Sequence, residues 1–149
     1  MLGIGKIISS AVVFSILLTG CGPRFDWAGK WIGMRDLPPD ANTPAPILHT
    51  LSRVNLEMRI NGTFSLIEGG VPREGEWSAT GTEATLIIKR VMDRPVDRIG
   101  SGAERLTQPI KLKAEDHDSI NYDNPASIDG KDVLLKREPQ RPPPNVRNR

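Results

Sequence analysis

The stretch RVNLEMRINGTFSL, residues 53–66, constrains the fold more than any other part of the 149-residue chain. Apolar and polar residues alternate along its first half, and a period of two is the pattern of a half-buried β-strand. The alternation resumes after an Asn-Gly pair, so the stretch predicts two antiparallel strands joined by a tight turn. The apolar positions are Val54, Leu56, Met58, Ile60, Phe64 and Leu66.

The length of this turn follows from which side chains must share a face. A two-residue turn at Asn61-Gly62 would place apolar residues opposite polar ones, because a slip of one residue turns every side chain over. A three-residue loop from Ile60 to Gly62, with Gly62 left-handed in a bulge, instead pairs Met58 with Phe64. We therefore predict the three-residue loop.

A second hairpin is predicted from GEWSATGTEATLII, residues 75–88. Here a two-residue turn at Gly81-Thr82 keeps the faces matched, because it pairs Ala79 with Ala84 and Trp77 with Leu86. Glycine in the first turn position favours a type II′ turn.

Other segments supply the remaining strands. WAGKWIGM gives the first strand and KDVLLKR gives the last. LTQPIKLKAED gives a further strand, which Pro109 is predicted to interrupt at a sheet edge or at a bulge, and Ile120 and Tyr122 belong to the strand that returns beside it. The total is eight short strands, with no convincing amphipathic helix. This pattern predicts an all-β fold, an eight-stranded antiparallel up-and-down barrel. A two-sheet β-sandwich is the alternative.

Cys21 is the only cysteine, and it follows a basic residue (Lys6), an apolar run (Ile7 to Leu18) and two small residues. This order is that of a secretory signal peptide, and the run is shorter than the about 20 residues that a bilayer-spanning helix needs. Leu18-Thr19-Gly20-Cys21 resembles the lipobox of bacterial lipoproteins. The resemblance implies cleavage before Cys21 and a diacylglycerol thioether on its sulfur, which anchors the protein in the lipid bilayer.

The predicted organisation has four parts. Residues 1–20 are the lipoprotein signal peptide, 21–26 the lipidated N-terminus and short tether, 27–138 the barrel domain, and 139–149 a disordered tail rich in Pro and Arg. The lipoprotein resemblance places the protein in the bacterial cell envelope. Because Gly22 rather than Asp follows the anchor, it implies the outer membrane, facing the periplasm, in a Gram-negative host.

The barrel segment resembles the lipocalins. Gly29-Lys30-Trp31 matches their G-x-W at the first strand, and a long Pro-rich connection follows where lipocalins carry the loop that lids the barrel mouth. The two hairpins are similar to those of small bacterial lipocalin-like lipoproteins. The resemblance also implies an arginine packed over Trp31, a position that Arg137 can take and that Lys136 or Arg141 could serve equally.

The resemblance implies a binding site for a small apolar or amphipathic ligand inside the barrel. The connection from Asp36 to Thr50 is its predicted lid, since four prolines keep this segment out of a regular strand. Trp31 and Trp77 can alternatively be simple core aromatics. The predicted ligand-binding residues are Trp31, Leu37, Ile47, Leu48, Met58, Phe64 and Trp77.

Motifs for catalysis, metal binding or cofactors are not evident in the sequence. It lacks G-x-S-x-G, a P-loop, a dinucleotide fingerprint and a CxxC pair, so we predict neither an enzyme nor a cofactor. Glu115, Asp116, His117 and Asp118 fall together in AEDHDS, which we interpret as a solvated acidic turn rather than a metal site. A formal net charge of +2, with the signs interspersed, argues against a nucleic-acid partner.

Two functions remain, and they differ in the volume left inside the barrel. The function expected from the sequence is a membrane-anchored, lipocalin-like module that binds a small ligand. The alternative is a non-catalytic scaffold whose packed barrel contacts an envelope protein or a cell-wall polymer.

Overall fold

The structure, a computed structural model, describes residues 24–39, 42–100, 104–127 and 129–139. The predicted signal peptide, the lipidation site Cys21 and nearly all of the predicted tail lie outside the described residues.

The strands form one antiparallel sheet that closes on itself. Around the barrel the order is β1, β2, β3, β4, β5, β7, β8 and β9, which pairs with β1 again, while β6 is a two-residue extension beside β5. The predicted eight-stranded up-and-down barrel is therefore confirmed, and the two-sheet sandwich is excluded. The strands are β1 Gly29–Met34, β2 Arg53–Met58, β3 Thr63–Glu68, β4 Val71–Thr80, β5 Glu83–Val91, β6 Arg94–Pro95, β7 Ile110–Asp116, β8 Ser119–Asp123 and β9 Val133–Arg137.

Both predicted hairpin registers are confirmed. Met58 lies opposite Phe64, and Gly62 has a φ of 80°, as the three-residue loop requires. In the second hairpin Trp77 lies opposite Leu86, and Gly81 has a φ of 60°. Burial of one apolar face decides each register, because any other pairing would expose that face to water.

The barrel has two different ends. We call the end that holds Gly29, Met58 and Arg137 the Trp31 end, and the end that holds Met34, Glu68 and Val133 the Glu68 end. The β2–β3, β4–β5 and β7–β8 turns lie at the Trp31 end. The long β1–β2 and β5–β7 connections lie at the Glu68 end.

Two sequence expectations about the connections were wrong. The β1–β2 connection contains a helix, α1 Ala45–Ser52, because Pro44 and Pro46 fall at the N-cap and in the first turn, where the missing N–H costs no helical hydrogen bond. The segment from Leu106 to Pro109 is also not part of a strand. A 3-10 helix covers Glu104–Thr107, and β7 starts directly after Pro109.

Candidate functional site

The barrel interior is filled with packed side chains. The inward residues of all eight barrel strands except β4 contribute to one cluster of buried hydrophobic residues. Such side chains, in contact with one another across a small barrel, fill the space that a ligand would take. The largest side chains that are fully buried are Trp31, Tyr122, Phe64, Leu56, Met58, Leu66, Leu86, Ile110, Leu112, Ile120, Leu135 and Val54.

The structure separates the predicted ligand-binding residues into two groups. Trp31, Met58 and Phe64 are buried members of the core cluster, and Trp77 packs against it while staying half-buried. Leu37, Ile47 and Leu48 lie in the β1–β2 connection, and none of the three belongs to the core or to the described residues packed against it. The Ile47 side chain is 51% exposed on α1. The two groups do not form one site.

Aromatic residues close the Trp31 end. Phe25 stacks on Trp31 with their ring centroids 5.9 Å apart, and it meets Trp27 edge-on at 4.6 Å. The indole N–H of Trp31 donates to the carbonyl of Trp27 at 3.1 Å. The residues before β1 therefore fold across this end as a plug.

Arg137 completes this plug. Its guanidinium carbon lies 4.3 Å from the centroid of the Trp31 ring, and Nη1 donates to the Ala28 carbonyl at 2.7 Å. Nη2 donates to the carbonyl of Asp26. Of the three basic residues that the sequence left open for this position, Arg137 occupies it, while Lys136 is exposed and Arg141 lies outside the described residues.

Buried charges fill the Glu68 end. The Glu68 carboxylate receives Arg35 on Oε1, from Nε at 3.0 Å and from Nη2 at 2.5 Å. On Oε2 it receives Arg73 Nη1 at 3.1 Å, the Tyr122 hydroxyl at 2.9 Å and the Asn124 amide nitrogen. These donors occupy the acceptor positions of both carboxylate oxygens, so the Glu68 side chain is fully paired inside the barrel.

Arg35 links this cluster to the β8–β9 connection. Its Nη1 donates to Asp129 Oδ1 at 2.7 Å and to the Lys131 carbonyl at 2.6 Å. Partial burial raises the pKa of Asp129, but the hydrogen bond from the Lys131 N–H and the charge of Arg35 outweigh it and lower the pKa overall. Two arginines thus face two carboxylates, and the formal charges of this cluster cancel.

The position of Tyr122 changes its acidity. Burial, and after it the negative charge of Glu68, raise the pKa of its phenol well above 10.0. The phenol is therefore fixed as a hydrogen-bond donor to Glu68 at physiological pH. We call the set Arg35, Glu68, Arg73, Tyr122, Asn124 and Asp129 the buried charge cluster.

Sequence reasoning missed the buried charge cluster, although a signal was present. Glu68 continues the inward alternation of Phe64 and Leu66, and Arg35 that of Trp31 and Gly33. A charged residue at an inward position of a strand must find a partner, because an unpaired buried charge is costly. Which charges pair across the barrel depends on the closed topology.

The acidic β7–β8 turn is exposed at the Trp31 end. His117 Nδ1 lies 2.9 Å from Asp118 Oδ1, and the Asp118 N–H donates to Asp116 Oδ1 at 2.8 Å. Among the described residues, no three His, Cys, Asp or Glu side chains converge as metal ligands would.

The described part of the chain also has no helix with the length and apolar character needed to cross a bilayer.

No protein-family model and no curated protein matches this chain. The likeness to lipocalins therefore rests on the closed barrel and on the contact between Trp31 and Arg137.

Proposed function

We propose that the chain is a membrane-anchored bacterial envelope lipoprotein whose barrel is a non-catalytic scaffold that contacts an envelope protein or a cell-wall polymer. The observation that carries this proposal is the packed interior, which leaves the outer surface as the place for recognition.

The buried charge cluster supports the same proposal. An apolar ligand entering from the Glu68 end would have to displace Arg35, Glu68 and Arg73, all of which are buried. Breaking a buried ion pair in this way leaves uncompensated charges in a medium of low polarity. The cluster thus favours a barrel that stays closed.

The anchor is the part of the proposal that comes from the sequence. Two or three acyl chains hold a protein in a bilayer durably, whereas a single chain binds only marginally. Lipidation of Cys21 would keep the barrel at the membrane surface without a transmembrane helix. In a Gram-negative host, the proposed location is the outer membrane, facing the periplasm.

A lipocalin-like ligand-binding function is the second candidate. The observation in its favour is the long β1–β2 connection at the Glu68 end, which leaves Ile47 exposed and Leu48 half-buried on α1. Movement of this segment is what a lid would require.

Titration with apolar probes distinguishes the two functions. Fatty acids, retinol and haem are added to the mature protein while tryptophan fluorescence is recorded. A packed scaffold gives no saturable change below about 100 μM, a threshold near −5.5 kcal/mol. A saturable change that weakens in Ile47→Ser, with Ser78→Ala at the opposite end as the matched control, would establish the ligand-binding function instead.

The anchor has its own test. Cys21→Ser protein should accumulate as an unlipidated precursor, and the mature wild type should sediment with membranes. Normal processing and membrane sedimentation of the Cys21→Ser variant would contradict the lipoprotein assignment.

Co-sedimentation of the detergent-solubilised mature protein with purified peptidoglycan tests whether the cell-wall polymer is the partner.

A further inference from the structure

We propose that the Trp31 end of the barrel lies against the bilayer, with the tip of the β2–β3 hairpin at Ile60 inserted among the lipid headgroups. The proposal rests on the lipidation of Cys21 proposed above, and it adds the orientation of the barrel and the lipid-contacting residue.

The length of the tether sets the first limit. Only Gly22 and Pro23 separate Cys21 from Arg24, the first described residue. Three residue steps of extended chain span at most about 11 Å. Phe25 is packed on Trp27 and Trp31, so the tether cannot lengthen without removing the aromatic plug. The Trp31 end is therefore held close to the membrane surface.

The point at which the tether leaves the barrel selects one side of this end. Arg24 and Phe25 line a cleft together with Ala79, Thr80 and Gly81 of the β4–β5 hairpin. The described chain thus begins at Arg24, beside the β4–β5 turn.

The β2–β3 hairpin is one of the two neighbours of that turn, and the β7–β8 hairpin is the other. The Trp77 N–H donates to the Gly62 carbonyl at 2.8 Å, and its indole N–H donates to the Arg59 carbonyl at 3.0 Å. These two bonds attach the loop from Arg59 to Gly62 to β4, so the tip of the hairpin is a fixed feature of the Trp31 end.

Ile60 is the apolar group at this tip. Its side chain is 94% exposed, more than any other large hydrophobic residue that the structure describes as exposed. A single exposed isoleucine has no special meaning on an ordinary surface. Beside a membrane anchor an exposed isoleucine is informative, because an apolar side chain flanked by Arg59 and Asn61 suits the boundary between headgroups and acyl chains.

Charge at the Trp31 end favours the same tilt. Arg24 is exposed beside the β4–β5 turn, and Arg59 is exposed at the β2–β3 tip, where it pairs with Glu57 at 3.1 Å. Anionic headgroups would attract both arginines. Asp116, His117 and Asp118 lie in the β7–β8 turn, across the barrel from β2 and β3. Anionic lipid repels this acidic turn, so the barrel tilts towards Ile60 and away from His117.

Site-directed spin labelling of the lipidated protein in vesicles tests the orientation. The vesicles contain phosphatidylethanolamine and phosphatidylglycerol, and acylation of Cys21 leaves each introduced cysteine as the only free thiol. Labels are placed at Ile60→Cys, at His117→Cys, which is 92% exposed at the same end, and at Ile47→Cys at the Glu68 end. Relaxation by oxygen, which concentrates in lipid, is compared with relaxation by a water-soluble nickel chelate.

The proposal predicts that oxygen relaxes the label at position 60 several-fold more effectively than the nickel chelate does. The labels at 117 and 47 should be relaxed mainly by the chelate. If the nickel chelate relaxes the labels at 60 and 47 equally and mass spectrometry shows that Cys21 is acylated, the proposed orientation is wrong, while the proposed function stands. A mature N-terminus without acyl chains overturns both the orientation and the proposed function.

Discussion

The Arg137 guanidinium lies over the face of Trp31, 4.3 Å from the ring centroid, and the two residues are also direct partners across β1 and β9. Gly29 makes room for this contact. A Cβ at position 29 would lie 2.7 Å from Arg137 Nη1, and the φ of 140° at this residue also favours glycine. The glycine and tryptophan of Gly29-Lys30-Trp31 thus serve one arrangement, in which the first and last strands are joined beneath the aromatic plug.

Replacing Arg137 should destabilise the barrel. Arg137→Ala removes a cation–π contact and hydrogen bonds to two backbone carbonyls, so we expect a loss of about 2–4 kcal/mol in the free energy of unfolding. Lys136→Ala, at an exposed neighbouring position, should cost less than ~0.5 kcal/mol. Urea unfolding measures both losses. Equal losses would mean that Arg137 does not stabilise the contact between the first and last strands.

The buried charge cluster should be sensitive to its central carboxylate. Glu68→Gln keeps the shape of the side chain but leaves Arg73 without its anion and Arg35 with only the partly buried Asp129, so we expect a loss of about 3–5 kcal/mol. Glu74, which forms an exposed ion pair with Arg90 at 3.5 Å, provides the control.

Glu74→Ala should cost at most about 1 kcal/mol, because exposed ion pairs contribute little. The same urea unfolding experiment compares the two variants. A Glu68→Gln protein as stable as the Glu74 variant would show that the buried charges do not stabilise the Glu68 end.

Tyr122 offers a test by pH, because it is the only tyrosine in the chain. Its pKa is raised in the folded protein, so the folded state keeps its proton at a pH at which the unfolded chain loses it. The resulting stabilisation is complete below the unfolded pKa, near 10, and is lost as the pH rises above it.

Absorbance at 295 nm should therefore show no phenolate until well above pH 10, where unfolding and ionisation occur together. The denatured protein should titrate near pH 10. Ionisation near pH 10 with the circular dichroism of the folded protein unchanged would contradict the buried position of this phenol.

The two tryptophans on the barrel strands should differ in their contribution to stability. Trp31 is fully buried, so Trp31→Ala should cost about 3–5 kcal/mol or prevent folding. Trp77 is half-buried near the rim of the Trp31 end, and we expect Trp77→Ala to cost about 1–3 kcal/mol. Thermal and urea unfolding of the two variants provide the comparison. A larger loss for Trp77 would place it in the core as the more important aromatic.

The sequence predicted those parts of the fold that depend on local alternation. The registers of Met58 with Phe64 and of Trp77 with Leu86 follow from matching apolar faces, and both are present in the structure. The contact between Arg137 and Trp31 was one of three alternatives, because only the pairing of β9 with β1 decides which basic residue reaches the ring.

Other features depend on contacts between distant residues. Arg35 and Glu68 are 33 positions apart, and their pairing follows from the order of strands around the barrel. The helix α1 was missed because prolines that exclude a strand are tolerated in the first turn of a helix. Whether the interior could hold a ligand depended on packing, which a list of inward residues does not give.

Xenon binding tests the packed interior most directly, because xenon enters dry apolar cavities. Methyl NMR spectra are recorded under increasing xenon pressure, with Leu86→Ala, which removes a fully buried side chain, as the positive control. We predict that the methyl resonances of Leu66, Leu86 and Ile120 in the wild type do not shift in a saturable way, whereas methyls around position 86 in the variant do. Saturable shifts of Leu66 and Ile120 in the wild type would reveal an interior cavity and contradict the packed scaffold.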